Sequence, residues 1–182
     1  MIQNRLSYHL RAIGFAAEAC SIITQVVVSR DDPDFRDPSK PVGPFYTEAE
    51  AMGLRRSKCY CVKLIKPHSD KGWRRVVPSP EPKEIVEANA IRVLLEAGFV
   101  VVASGGGGIP VAQEADGSLV GVNAVIDKDK ASFTIARPIV ADRFMILTDV
   151  ERVALHHGTR TLAVSMLSAL MRPSVTSARG IS

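Results

Sequence analysis

The tripeptide Asp127-Lys128-Asp129, in Val125-Ile-Asp-Lys-Asp129, places a cation between two carboxylates at the end of an apolar run. An ammonium there can neutralise charge on a transferring phosphoryl group, and a carboxylate can hold it in place. The same tripeptide also fits a solvated charged turn. Ala103-Ser-Gly-Gly-Gly-Gly-Ile-Pro110 puts four glycines, Gly105, Gly106, Gly107 and Gly108, directly after another apolar run. Without Cβ atoms in the way, backbone N–H groups there can approach an anion; a flexible turn fits the composition as well. No Gly-Lys-Ser/Thr follows, which excludes a Walker A loop. No Gly-x-Gly-x-x-Gly opens a helix, which excludes a dinucleotide fingerprint.

Three further stretches carry weaker chemistry. In Asp37-Pro-Ser-Lys-Pro-Val-Gly-Pro-Phe-Tyr46, prolines on both sides of Lys40 stiffen the backbone, so the lysine is either presented at a fixed place or part of a rigid surface loop. Gly72-Trp-Arg-Arg-Val-Val-Pro-Ser-Pro80 offers paired arginines, which suit phosphate, an acidic partner or nearby surface acids. Thr148, Asp149 and Val150 close an apolar run, and ligands of open α/β sheets sit at the carboxyl ends of strands. Cys59, Cys61 and His68 have the wrong count and spacing for structural zinc, and no metal site is predicted.

The elements that must position these residues follow from periodicity. Ile2, Leu6, Leu10 and Ile13 recur at helical spacing up to Gly14, predicting a helix over 2–13. The β-branched run 22–28 predicts a buried strand. Residues 30–48 are turn and loop chemistry, and 48–77 are polar and basic, an excursion from the core. Val86, Ala90, Val93, Leu94 and Ala97 share a helix face closed by Gly98. Phe99–Ser104 predicts a strand, Asp116-Gly117 a hairpin between 111 and 122, Ala124–Ile126 a strand end, and Phe144–Thr148 a buried strand. Strands alternating with helices predict a mainly parallel sheet covered on both faces.

The chain of 182 residues is 46% hydrophobic and 23% charged, with a net charge of +4, which suits one soluble domain. No apolar run of eighteen residues suggests a membrane helix, and no leader pattern is evident, so cytoplasmic residence is expected. Three cysteines make no disulfide framework and point to a reducing compartment. The ten aromatics are not interleaved with the basic clusters, which argues against a nucleic-acid platform.

Taken together and in order, the motifs resemble carbamate kinase, within the amino-acid kinase superfamily. The matching residues are Thr24–Val28, Asp32-Pro-Asp-Phe35, Pro38–Tyr46 (with Ser39 for the family's threonine), Gly72–Pro80, Gly105–Pro110, Val125–Asp129 and Ile146–Val150. The resemblance covers about residues 1–158. It implies a three-layer αβα sandwich with a protruding subdomain over about 30–76, incomplete at both ends. The implied reaction is reversible phosphoryl transfer between carbamoyl phosphate and ADP, giving ATP and carbamate, with Mg2+, as in arginine metabolism. Lys128 would contact the phosphoryl group and Asp129 would organise the lysines. Lys40 would reach in from the subdomain, and Gly105 to Gly108 would line the phosphate and substrate side. Asp127, Thr148, Asp149 and Val150 would serve the nucleotide. Intact members are expected to be homodimers.

The chain also departs from the family pattern. The family's Gly-Gly-Asn-Ala strand end and its late Gly-Ser-Met-Gly-Pro-Lys are not found, so impaired turnover is expected. An inactive fragment, or a nucleotide-binding or interaction module, is the alternative. Residues 1–159 are expected to form a partial kinase domain and 160–182 a divergent tail. Pro138 is expected to break the helix that follows the Lys-Asp pair.

Overall fold

The computed structural model describes residues 2–147 and the strand backbones of 153–155 and 163–165. The first helix, α1 (Ile2–Ala12), ends two residues before Gly14, which takes φ +73°. Its apolar stripe is only partly covered, since Ile2 and Ile13 stand exposed.

Of the run expected as one strand over 22–28 only β2 (Gln25–Val27) forms, and a separate strand, β1 (Ala19–Ser21), precedes it. Thr24 causes the break. Its hydroxyl donates to the Ile22 carbonyl at 3.3 Å and accepts from the Ser104 amide at 2.9 Å, competing with ladder hydrogen bonds. A 3-10 turn (Pro33–Phe35) follows, capped by Asp32. Then come β3 (Lys40–Tyr46), α2 (Glu48–Lys58), β4 (Val62–Leu64) and β5 (Trp73–Val77). Helix α2 begins in a full capping box between Thr47 and Glu50 and carries Arg55, Arg56 and Lys58 in its last turn, where cations favour the dipole.

The remaining elements are β6 (Glu84–Ile85), α3 (Ala88–Glu96), β7 (Val100–Val102), β8 (Ile109–Gln113), β9 (Leu119–Gly121), α4 (Lys128–Ala136), β10 (Val153–Leu155) and β11 (Ala163–Ser165). Helix α4 stops at Ala136, two residues before Pro138, as expected from the ring's clash with a helical backbone. Val86 lies outside α3 and Val93 is half-exposed; the residue that α3 buries is Ile91.

The architecture is mixed α/β. Strand β1 pairs with β7 in parallel, and β2 pairs with β8 in parallel. The order β6-β2-β8-β9 has antiparallel strands at both edges, and β8–β9 is the hairpin turned at Asp116-Gly117. Strands β3-β5-β4 form a separate antiparallel sheet, to which α2 is joined by Thr47 at the end of β3. Strands β10 and β11 pair antiparallel. Val26, Val28, Ile85, Ile91, Ile126, Ala131 and Ile135 make the core, which joins β2, β6, α3 and α4.

Two expected strands do not form. Residues 124–126 are irregular, with the Val125 amide donating to the Pro78 carbonyl at 2.9 Å rather than to a strand. Residues 144–147 are also irregular, and Met145 and Leu147 are exposed. An apolar run becomes a strand only beside a partner edge, and no described strand pairs with this one.

Candidate functional site

The register of the two parallel ladders shows where the glycine run sits. Ser21 is opposite Val102 and Gln25 is opposite Ile109. Three residues, 22–24, therefore bridge the ladders on one side and six, 103–108, on the other. The extra length leaves the sheet as a loop at the carboxyl end of β7. Thr24 pins both of its ends: its hydroxyl takes the Ser104 amide, and its carbonyl takes the Ile109 amide at 2.8 Å.

Two glycines of the loop are required by contact. At Gly108 a Cβ would lie 2.6 Å from Val26 Cγ2. At Gly107 a Cβ would overlap the Ile126 carbonyl oxygen. The loop therefore abuts the backbone that leads into Asp127. Gly105 and Gly106 face open space. Ser104, which precedes the run, was not singled out from the sequence. It is buried with φ +60°, and its hydroxyl has no hydrogen-bond partner among the described residues. Neither the Ser104 nor the Thr24 constraint has a sequence signal, because each depends on a contact about eighty residues away.

Asp127 caps α4, accepting from the amides of Asp129 at 3.0 Å and Lys130 at 3.3 Å. Its other carboxylate oxygen receives Lys40 Nζ at 2.5 Å. The structure thus brings Lys40, Asp127 and Gly107 together from three separate parts of the chain. The organising role expected of Asp129 falls differently here: Asp129 contacts Lys128 at 3.0 Å, and Asp127 is the carboxylate that reaches Lys40. The Lys128 side chain, paired with Asp129, is 63% exposed at the helix start. Thr148, Asp149 and Val150 lie outside the described residues.

The paired arginines serve their own sheet. Arg74 lies over the Phe45 ring at 4.9 Å and donates to the Gly43 carbonyl at 2.6 Å, and Arg75 lies over Tyr60 at 4.1 Å. Cation–π contact of this kind holds a guanidinium without a carboxylate.

The Lys40 hydrogen bond holds the Asp127 carboxyl below the usual carboxylate range, against the opposing pull of partial burial. At Asp34 partial burial pushes upward, but hydrogen bonds from Ser39 and Ser79 prevail and the carboxyl is again lowered. A lowered folded-state value means the stabilisation is complete above the unfolded value of about 3.9 and is lost as pH falls through the folded value. We expect the thermal midpoint to drop below about pH 4, and the Asp34→Asn, Asp127→Asn double variant to show a shallower acid slope. An unchanged slope would remove these two groups as its source.

A glycine loop, a helix start and a lysine from a separate sheet are groups suited to holding a phosphoryl group. The amino acid kinase family model matches residues 5–163, and the chain belongs to that family. Within it, the chain is 52% identical over 159 residues to the carbamate kinase of Pyrococcus furiosus, covering 87% of this chain and 49% of the relative. It is 44% identical over 155 residues to the carbamate kinase of Clostridium perfringens, covering 85% and 48%. The solved structure of carbamate kinase from Giardia lamblia bound to AMP-PNP superposes with a TM-score of 0.69 at 36% identity, over 89% of this chain and 50% of that one. The chain spans about half the length of the curated relatives it matches.

Proposed function

We propose that this chain carries the carbamate side of a carbamate kinase, where a phosphoryl group passes between carbamoyl phosphate and ADP. The observation that carries the proposal is the Lys40–Asp127 pair beside Gly107. It seats a cation from the antiparallel sheet where the glycine loop and the α4 amino terminus also converge. The glycine loop offers backbone N–H groups to an anion, while at α4 the Asp127 cap already takes the Asp129 and Lys130 amides and the helix dipole favours negative charge. Lys40 and Lys128 would neutralise the phosphoryl oxygens as the bond to the carbamoyl oxygen loosens, with Asp127 and Asp129 holding the two ammonium groups. The Giardia lamblia enzyme bound to AMP-PNP supports a nucleotide on the other side of the phosphoryl group. In this proposal Asp127 borders that nucleotide, and Thr148, Asp149 and Val150 extend along it.

Mg2+ would enter with ATP or ADP and would supply charge neutralisation on the phosphates. Among the described residues no three carboxylate, histidine or cysteine side chains converge on one point. A homodimer, implied by the family resemblance, is part of the same proposal and is tested by sedimentation.

Turnover is best read in a chimaera in which residues 1–158 replace the matching half of the Pyrococcus furiosus enzyme. ATP formation from carbamoyl phosphate and ADP, followed by a coupled assay, is expected. Lys128→Ala in that chimaera should lower kcat by about a hundredfold and leave the ADP Michaelis constant nearly unchanged, because charge neutralisation acts mainly in the transition state. Near-full turnover in this variant would remove Lys128 from the chemistry. A folded chimaera that makes no ATP would overturn the proposal itself.

A further inference from the structure

The antiparallel unit leaves the main body through Ser39 and returns through Ser79, and both crossings meet one carboxylate. Asp34 Oδ2 accepts the Ser39 amide at 3.4 Å and also the Ser79 amide. Asp32, two residues earlier, accepts the Asp34 amide at 2.9 Å with one oxygen and the Glu81 amide at 3.0 Å with the other. Glu81 in turn pairs with Lys130 on α4. The 3-10 turn that carries both aspartates is anchored because Phe35 packs against the core. The hydrogen bonds therefore close a ring. It runs from Asp32 through Glu81 and Lys130 to α4, from its cap Asp127 to Lys40, and from Ser39 back to Asp34.

We propose that Asp34 and Asp32 are positioning residues, a two-carboxylate clamp at the base of the antiparallel unit that fixes where Lys40 stands over the α4 amino terminus. The significance of that position rests on the carbamate kinase reading; the clamp itself rests on the hydrogen bonds. A carboxylate accepting two backbone N–H groups from separate chain segments fixes their separation, and charge-assisted bonds of this kind are the stronger sort. Three prolines adjoin the clamped sites: Pro38 precedes Ser39, and Pro78 and Pro80 flank Ser79. Their fixed φ leaves the arms little other freedom. Lys40 then follows Ser39 by one residue, so its reach to Asp127 is set by Asp34 rather than by the distant tip of the sheet. The ion pair of Lys63 with Asp37 at 2.5 Å tethers β4 to the same segment.

The test reads lysine reactivity in the purified chain and needs no turnover. Each lysine is acetylated with an N-hydroxysuccinimide ester and followed by peptide mass spectrometry. In the unsubstituted chain Lys40 and Lys130 should react slowly, because each is held by a carboxylate. Asp34→Ala should raise Lys40 labelling by about tenfold, the factor expected when one charge-assisted contact is lost, and leave Lys130 unchanged. Asp32→Ala should do the reverse. Asp34→Asn keeps the side-chain volume but loses the charge, and should give an intermediate rise at Lys40 alone. Unchanged Lys40 labelling in Asp34→Asn, or labelling that rises at every lysine together, would overturn the clamp. A separate arm addresses the functional reading: carbamoyl phosphate added to the unsubstituted chain should slow Lys40 labelling. Failure of that protection would count against the carbamate-side assignment while leaving the clamp standing.

Discussion

Lys40→Ala should lower carbamoyl-phosphate turnover in the chimaera by about a hundredfold to a thousandfold while ADP affinity stays nearly constant. The lysine is placed by a separate sheet, yet its ammonium lies 2.5 Å from the cap of α4. A charge held in place by the Asp127 carboxylate needs little reorganisation at the moment of transfer. Asp127→Asn is the informative companion. Asparagine caps a helix as well as aspartate does, so α4 should keep its start while Lys40 loses its counter-charge. Turnover in that variant should fall, though less than in Lys40→Ala, because the lysine remains present but less well held. Steady-state kinetics of both variants decide the matter. A Lys40→Ala effect confined to the ADP Michaelis constant would place the antiparallel sheet on the nucleotide side and reverse the assignment.

How far the sequence foretells this arrangement depends on the range of the forces involved. The capping box at Thr47, the Asp116-Gly117 hairpin and the stop of α4 before Pro138 all arise within a few residues, and local chemistry fixes them. The motif order also suggests Lys40, Asp127, Lys128 and the four glycines as one functional neighbourhood; in the structure Lys40 pairs with Asp127, and Gly107 lies against Ile126, the residue before it. Thr24 shows what was not legible. A β-branched residue inside an apolar run reads as strand, yet here its hydroxyl serves Ser104 and interrupts the ladder. Asp34 likewise reads as turn chemistry in Asp-Pro-Asp-Phe, and only the fold brings Ser79 to it. The exposed run 145–147 failed in the opposite way, since its composition favours a strand that no described edge accepts.

The site is thus built on an interruption of the sheet. Two short parallel ladders follow one another along the same pair of chain segments, and the three-residue excess on the β7–β8 side is discharged as the glycine loop. A regular strand there would direct its N–H groups into the neighbouring strand. In the loop the Ser104 amide turns to the Thr24 hydroxyl and the Gly107 amide to the Ser104 carbonyl, and Thr24 holds the loop's two ends. The loop then meets the backbone that leads into the helix start at Ile126, which lies against Gly107.

That contact makes Gly107→Ala the substitution with the largest expected cost to stability. Gly107 has φ +135°, where side-chain-bearing residues are strained by about 1–3 kcal/mol. Its new methyl group would also meet the Ile126 carbonyl, a backbone atom that cannot rotate aside. Overpacking of this kind typically costs about 1–3 kcal/mol more. The sum, about 2–6 kcal/mol, is a large part of the 5–15 kcal/mol by which domains are usually stable. Ile126 cannot retreat without cost, because its side chain lies in the core with Val26, Ile85 and Ile91. Any shift it does make passes directly to Asp127, and so to the cap of α4 and the partner of Lys40. Stability and turnover should therefore fall together. Gly106→Ala, one residue away in open space without a positive φ, should stay within about 0.5 kcal/mol of the parent. Urea unfolding of the two variants, with chimaera kinetics alongside, separates the cases. Equal midpoints for the two would show that the loop does not rest on Ile126, and that the glycine run is merely a flexible connection.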